Sequence, residues 1–173
     1  MVIEPLCDHH DKSAFDCGVD RMNEFLQKIA KQHASKDVGV THVAVEADGE
    51  SRVLGFVTLT IKPISRESLP NSKKLPRGEY TVAFIGQLAT DINVQGRGIG
   101  KRLLYFSLYK ALEVSDSFGL IGVALDLLQE EGEDLGVTER RKRFYLDRGF
   151  FQLSEDDQRL YLPMSMVRKM GLR

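Results

Sequence analysis

The run Gln95-Gly96-Arg97-Gly98-Ile99-Gly100-Lys101 carries residue types well suited to binding chemistry. Alternating glycines at the end of an apolar, strand-like segment let backbone N–H groups close around a phosphate. A helix starting near Ile99 would add the partial positive charge of its N-terminus. Arg97 and Lys101 add formal charge. Glycines alone fit a plain tight turn into a helix about as well, so spacing has to choose. A Walker A loop needs Gly-Lys followed by Ser or Thr, and Lys101 is followed by Arg102. A dinucleotide fingerprint needs a further glycine where Lys101 stands. Neither nucleotide motif fits.

Two further groups of residues invite a chemical reading. Tyr145 lies in Phe144-Tyr145-Leu146-Asp147-Arg148-Gly149-Phe150, and an aromatic on an amphipathic helix is more often core than catalyst. The run Arg140-Arg141-Lys142-Arg143 is the strongest local basic feature. It suits polyanion phosphates, or else a solvated helix face partly neutralised by the acidic stretch Glu130 to Asp134. Lys73, Lys74 and Arg77 would extend the basic patch if their segment folds towards it. Near the N-terminus, Cys7 and Cys17 lie close to His9, His10 and Asp11, but the spacing matches no zinc finger or ribbon, so no metal is expected. His33 and His42 read as structural.

The elements that must position these residues follow from periodicity. Met22, Phe25, Leu26, Ile29 and Ala30 form one apolar helical stripe, with Asp20 as the expected N-cap. Strands are expected over 41–46 and 52–61, followed by a proline-bearing loop from Lys62 to Glu79. The strand from Thr81 to Asp91 runs straight into the glycine turn. A helix with Ile99, Leu103 and Phe106 on its buried side comes next, then a strand over 120–125. Strand, helix and strand in that order predict a right-handed parallel crossover. A helix from about Thr138 to a left-handed Gly149, and short strands over 150–153 and 160–162, complete the chain.

The chain has 173 residues, 42% hydrophobic and 28% charged, which suits one soluble domain and excludes a disordered tail, a collagen-like fibre and a membrane bundle. Met1-Val2-Ile3-Glu4-Pro5 shows no secretory signal, so a cytoplasmic location without membrane partners is expected. The formal net charge is −1. Any polyanion must therefore be held by a local patch rather than by a global field.

Gln95-x-x-Gly98-x-Gly100 resembles the acetyl-CoA pyrophosphate loop, Gln/Arg-x-x-Gly-x-Gly/Ala, of the GNAT N-acetyltransferases. Leu88-Ala89-Thr90-Asp91 is similar to that family's cofactor strand, and residues 144–150 resemble its Phe-Tyr-x-x-x-Gly-Phe ending. The resemblance implies a mixed α/β domain over residues 1–173. Its sheet would be mixed and mostly antiparallel, with a parallel β-α-β crossover at the CoA site and helices on both faces. It implies acetyl-CoA as co-substrate. Leu88, Ala89 and Thr90 would pair with pantetheine, while Gln95, Gly96, Arg97, Gly98, Ile99, Gly100 and Lys101 would hold the pyrophosphate. Tyr145 would be the general acid, since a phenol pKa of about 10 lies not far above the thiol value of about 8.5.

A narrower likeness covers nearly the whole chain. His10-Asp11, Phe15-Asp16-Cys17-Gly18, Met22-Asn23, Phe25-Leu26 and the closing Leu160-Tyr161-Leu162-Pro163-Met164 resemble the toxin-type members of bacterial toxin–antitoxin pairs, the TacT, AtaT and KacT group. That implies aminoacyl-tRNA as acceptor, a ribbon-helix-helix antitoxin as partner, and a homodimer. Arg140, Arg141, Arg143, Lys73, Lys74 and Arg77 become the candidate RNA contacts. Gln87 stands where the group carries arginine, and Thr90 where it carries valine. An α-amine titrates near 7.7–8.0, against about 10.4 for lysine, so it needs less help from a base. Two other readings remain open: acetylation of a small-molecule or protein amine, and a CoA-binding module without chemistry.

Overall fold

Alternating side chains along paired strands decide which helix covers which face of the sheet. The structure is a computed structural model and describes residues 1–153 and 158–172. Its strands are β1 (Val2–Pro5), β2 (Val40–Val45), β3 (Gly55–Ile64), β4 (Tyr80–Thr90), β5 (Gly122–Asp126), β6 (Phe151–Gln152) and β7 (Arg159–Pro163). Its α-helices are α1 (Asp20–Glu24), α2 (Ala30–Ser35), α3 (Ile99–Ser115), α4 (Leu135–Leu146) and α5 (Met164–Lys169). The strands form one mixed seven-stranded sheet in the order β1-β2-β3-β4-β5-β7-β6. β4 and β5 are neighbours with α3 between them in sequence, as the crossover requires. The chain makes two compact units: residues 1–60 with 85–110, and residues 61–84 with the chain from Ala111 onward.

In the first unit, β1 and β2 pair antiparallel with Val2 opposite Val45, and β2 and β3 with Thr41 opposite Thr58. Gly55 faces α3 so closely that an added Cβ would lie 3.0 Å from Leu103 Cδ1 and 2.9 Å from the Ala89 carbonyl. Phe56, one residue on, points to the opposite face, where it stacks on Phe25 at 6.2 Å and meets the edge of Phe15 at 5.4 Å. The sheet is thus covered on both faces here. Across β2 and β3, the Thr41 and Thr58 hydroxyls share a buried hydrogen bond of 2.7 Å.

The N-terminal helix differs from its expected form in two ways. Val19 rather than Asp20 is the N-cap, its carbonyl accepting from the Met22 and Asn23 N–H groups. Asp20 sits in the first turn, where its charge suits the dipole. Between α1 and α2, Phe25–Ile29 form a π turn, in which the Ala30 N–H reaches back to the Phe25 carbonyl. That widened turn shifts the phase of the apolar stripe. Leu26 and Ala30 are fully buried, and Ile29 is only half-buried.

In the second unit, Ile64, Leu69, Val82, Phe84, Ala124 and Tyr161 form a core. The expected loop over 62–79 is partly structured. β3 continues to Ile64, short 3-10 turns occupy Arg66–Ser68 and Ser72–Lys74, and Leu69 and Leu75 pack inward. Tyr80 Oη donates to the Pro76 carbonyl at 2.7 Å, closing the segment. Gly122 lies directly against the Tyr161 ring and the Leu162 carbonyl, leaving no room for a side chain. α4 begins at Leu135 rather than near Thr138, because the Asp134 carboxylate caps it by accepting the Gly136 N–H at 2.8 Å. Gly149 ends it with φ 89°. Among the described residues, no helix is long and apolar enough to cross a membrane.

Candidate active site

β4 delivers the glycine turn, and a buried carboxylate locks it in place. Asp91 is 2% exposed, and its oxygens accept the Asn93 N–H at 2.9 Å, the Asn93 side-chain amide at 3.0 Å and the Asp16 N–H at 3.2 Å. The Asp91 N–H in turn donates to the Leu54 carbonyl, and the Ile92 N–H to the Asp16 carbonyl. Val94 is buried, and Gln95 Nε2 donates to the Thr90 carbonyl at 3.2 Å, folding the turn back on the end of β4.

Gly96 and Gly98 then take left-handed φ of 78° and 80°, a region that side chains other than glycine enter at a cost of about 1–2 kcal/mol. A Cβ built on either would meet nothing within 4 Å, so both glycines border open space that a side chain would fill. The Arg102 N–H donates to the Gly98 carbonyl at 3.1 Å, which starts α3. The N–H groups of Ile99, Gly100 and Lys101 precede the first intrahelical acceptor and are open to an external one. The residues present therefore fit a pyrophosphate: a cradle free of side chains, unspent N–H groups and the positive end of a seventeen-residue helix.

Arg97 is exposed and lies 3.5 Å from Glu46, an ion pair screened by solvent. Lys101 and Arg102 are also exposed. With Arg97 and Gly98 they line a groove of about 620 Å³ whose other walls are Met1, Ile3, Tyr105 and Phe106. Lys101 Nζ sits 5.8 Å from the Tyr105 ring centre. Arg102 and Tyr105 escaped the sequence reading. Their one clue is the helical spacing that stacks them behind the loop cations. Gly55 escaped it as well, because its role is set by the distance of α3 from the sheet. Leu88, Ala89 and Thr90 occupy the last three positions of β4, with Ala89 buried and the other two half-buried. Gln87 is half-buried beside them.

In the second unit, Tyr145 is the buried residue of α4, at 7% exposure. Its ring meets Phe144 and Phe150 edge-on, at 5.0 and 5.8 Å. Burial pushes its phenol pKa up to about 12, against a smaller opposing effect of the Arg141 cation. The group thus keeps its proton at physiological pH, and its pKa lies further above that of a thiol than a free phenol's does.

The candidate RNA cations differ in how free they are. Arg141 forks onto the Glu133 carboxylate at 2.8 and 2.9 Å and also donates to the Leu128 carbonyl. Thr138 Oγ1 donates to the same carboxylate at 2.9 Å. Hydrogen bonds from Arg141 hold the Glu133 pKa below the usual carboxylate range. Part of the acidic stretch is therefore spent on fixing the start of α4. Arg140 and Arg143 are exposed, as are Lys73, Lys74 and Arg77. The two lysines lie on a 3-10 turn entered through Asn71 at φ 57°.

The Acetyltransferase (GNAT) family profile matches residues 4–150. The chain belongs to the GNAT acetyltransferase family. The acetyltransferase is 32% identical to a probable toxin TacT of Sinorhizobium fredii over 173 residues, 98% of this chain and 94% of the relative. Its fold matches the crystal structure of a tyrosine-to-phenylalanine mutant of KacT with a TM-score of 0.86 at 28% identity, covering 98% of both chains. It also matches AtaT complexed with acetyl-methionyl-tRNA, with a TM-score of 0.84 at 25% identity and the same coverage of both chains.

Proposed function

We propose that this acetyltransferase is a toxin-type enzyme that moves the acetyl group of acetyl-CoA onto the α-amine of aminoacyl-tRNA, and so inhibits translation. One observation carries the reading: the likeness to the toxin group runs almost end to end, rather than being confined to the cofactor loop. Residues 1–173 act as a single catalytic domain, working in the cytoplasm where charged tRNA is made. A ribbon-helix-helix antitoxin and a second copy of the chain are the partners the reading carries with it.

The cofactor supplies an acetyl thioester, whose C–S bond breaks as the C–N bond to the amine forms. The chain's own residues have three tasks. Backbone groups of Leu88, Ala89 and Thr90 orient the pantetheine arm, and a strand N–H polarises the reacting carbonyl. The turn from Gln95 to Lys101 holds the pyrophosphate through its N–H groups, assisted by the Arg97 and Lys101 charges. Tyr145 Oη donates its proton to the departing sulfur, and the proton lost by the amine restores the balance. Arg140, Arg143, Lys73, Lys74 and Arg77 supply phosphate contacts, with Arg141 contributing mainly by holding α4.

Bulk charged tRNA incubated with acetyl-CoA and the enzyme, then digested with ribonuclease, gives the test. Mass spectrometry of the released aminoacyl-adenosines should show a gain of one acetyl group, which Tyr145→Phe abolishes or sharply reduces. Bound acetyl-CoA with no acetylated adenosine would overturn the tRNA assignment and favour a small-molecule or protein amine.

A further inference from the structure

The turn after β1 gathers soft ligands at a place the acetyl transfer does not use. Cys7 Sγ lies 3.0 Å from His9 Nδ1 and 3.4 Å from His10 Nδ1, and the three atoms fall within 4.8 Å of one another. In a tetrahedral site with Zn–S of about 2.3 Å and Zn–N of about 2.0–2.1 Å, such ligand atoms stand about 3.5 Å apart. The sulfur is thus already close to ligand spacing from both nitrogens.

The surroundings of the two rings support a ligand role. The His10 side chain is fully buried, with Nε2 at 2.9 Å from Glu4 Oε1. That carboxylate sets the Nε2–H tautomer and turns the Nδ1 lone pair towards Cys7, the arrangement that commonly stands behind a metal-bound histidine. His9 Nε2 is 3.6 Å from the same oxygen, beyond hydrogen-bond distance. The ring centres are 4.1 Å apart. The Cys7 backbone N–H donates to His10 Nδ1 at 3.0 Å, a bond that a metal must displace to take that lone pair. Asp8 is held by Lys31 and stays out of the set.

We propose that Cys7, His9 and His10 bind a soft divalent cation of the zinc type through Sγ and the two Nδ1 atoms, with water in the fourth position. The site escapes the usual spacing rules because all three ligands come from one turn with a buried histidine as its floor. Binding replaces the Cys7 thiol proton with the metal and releases that proton, with no change of oxidation state. The bound ion would pin the turn that follows the sheet's edge strand.

The full chain, stripped with a chelator, is titrated with zinc against a chromophoric indicator. One zinc per chain is expected, bound more weakly as pH falls, because the ligands bind as thiolate and neutral imidazole. Cys7→Ser and His9→Ala alter exposed side chains and leave the buried His10 untouched. Each should lose at least tenfold in affinity while keeping the melting temperature of the metal-free protein. Cobalt in place of zinc should show a thiolate charge-transfer band that Cys7→Ser abolishes. Absence of zinc uptake, equal uptake by Cys7→Ser, or a cobalt complex without that band would each overturn the proposal. None of these readings depends on the acceptor assigned above.

Discussion

At the scale of single residues, burial decides what the titratable groups can do. Tyr145 keeps its proton because ionising it would place a charge among aromatic rings. Tyr145→Phe keeps those ring contacts and removes only the donor. It should therefore lower kcat about 10²–10⁴-fold, the range typical of general acid catalysis. Acetyl-CoA affinity, read by calorimetry, should be nearly unchanged. His42 shows the same physics with the opposite charge sign. Burial, and then the nearby Lys110 cation, depress its pKa from 6.5 to about 4, and its Nδ1 is buried without a hydrogen-bond partner. It packs on Phe106 at 4.8 Å. Between those two pKa values the unfolded chain takes up a proton at this site and the folded chain does not. The stability His42 allows at neutral pH is accordingly lost as pH falls from 6.5 towards 4. Urea unfolding of the native chain and His42→Gln across that window should show a steeper decline for the native chain.

Secondary elements set the geometry of the candidate cofactor turn through two kinds of glycine. Gly98 is needed for its backbone angle, and Gly55 for its lack of volume. Gly98→Ala should strain the turn by about 1–2 kcal/mol and weaken acetyl-CoA binding, with α3 left in place. Gly55→Ala has no φ problem. It drives a methyl group into Leu103, Ile99 and the Ala89 carbonyl, and should lower stability by about 1–3 kcal/mol by overpacking, as read by urea unfolding. The Glu133–Arg141 clasp is a third lever. Glu133→Gln should weaken the start of α4 by about 1.5–3 kcal/mol, the usual size for hydrogen bonds to a charged group. Because its carboxyl pKa is depressed, the clasp acts fully above the ordinary glutamate value and fails as pH falls through the lowered one.

These same elements mark how far the sequence could be read. The strand, turn and helix around Gln95 were legible because glycine spacing and apolar periodicity are local signals. The π turn at Phe25–Ile29 leaves no mark in composition, since the same residues would also satisfy an ordinary helix. The need for Gly55, and the partnership of Asp91 with Asp16, arise between segments far apart in sequence. Arg141 is grouped with the candidate RNA contacts in the sequence because a run of basic residues does not reveal which member an acidic neighbour has claimed.

At the scale of the whole molecule, a formal charge of −1 leaves no long-range pull on RNA, so the proposed tRNA binding would have to come from a few local cations. Reversing Arg140 and Arg143 to glutamate should weaken tRNA binding and flatten its dependence on salt. Filter binding across a salt series would measure both. An unchanged slope would remove these residues from the RNA surface.

The two compact units are each stitched from separated stretches: residues 1–60 wait for 85–110, and residues 61–84 wait for the chain from Ala111 onward. A chain emerging from the ribosome therefore cannot complete either unit in the order it is made. The segment bearing Asp16 is out early, but the carboxylate of Asp91 that ties it to the cofactor turn is made much later. The acetyltransferase thus cannot complete its fold until the chain from Ala111 onward has been made.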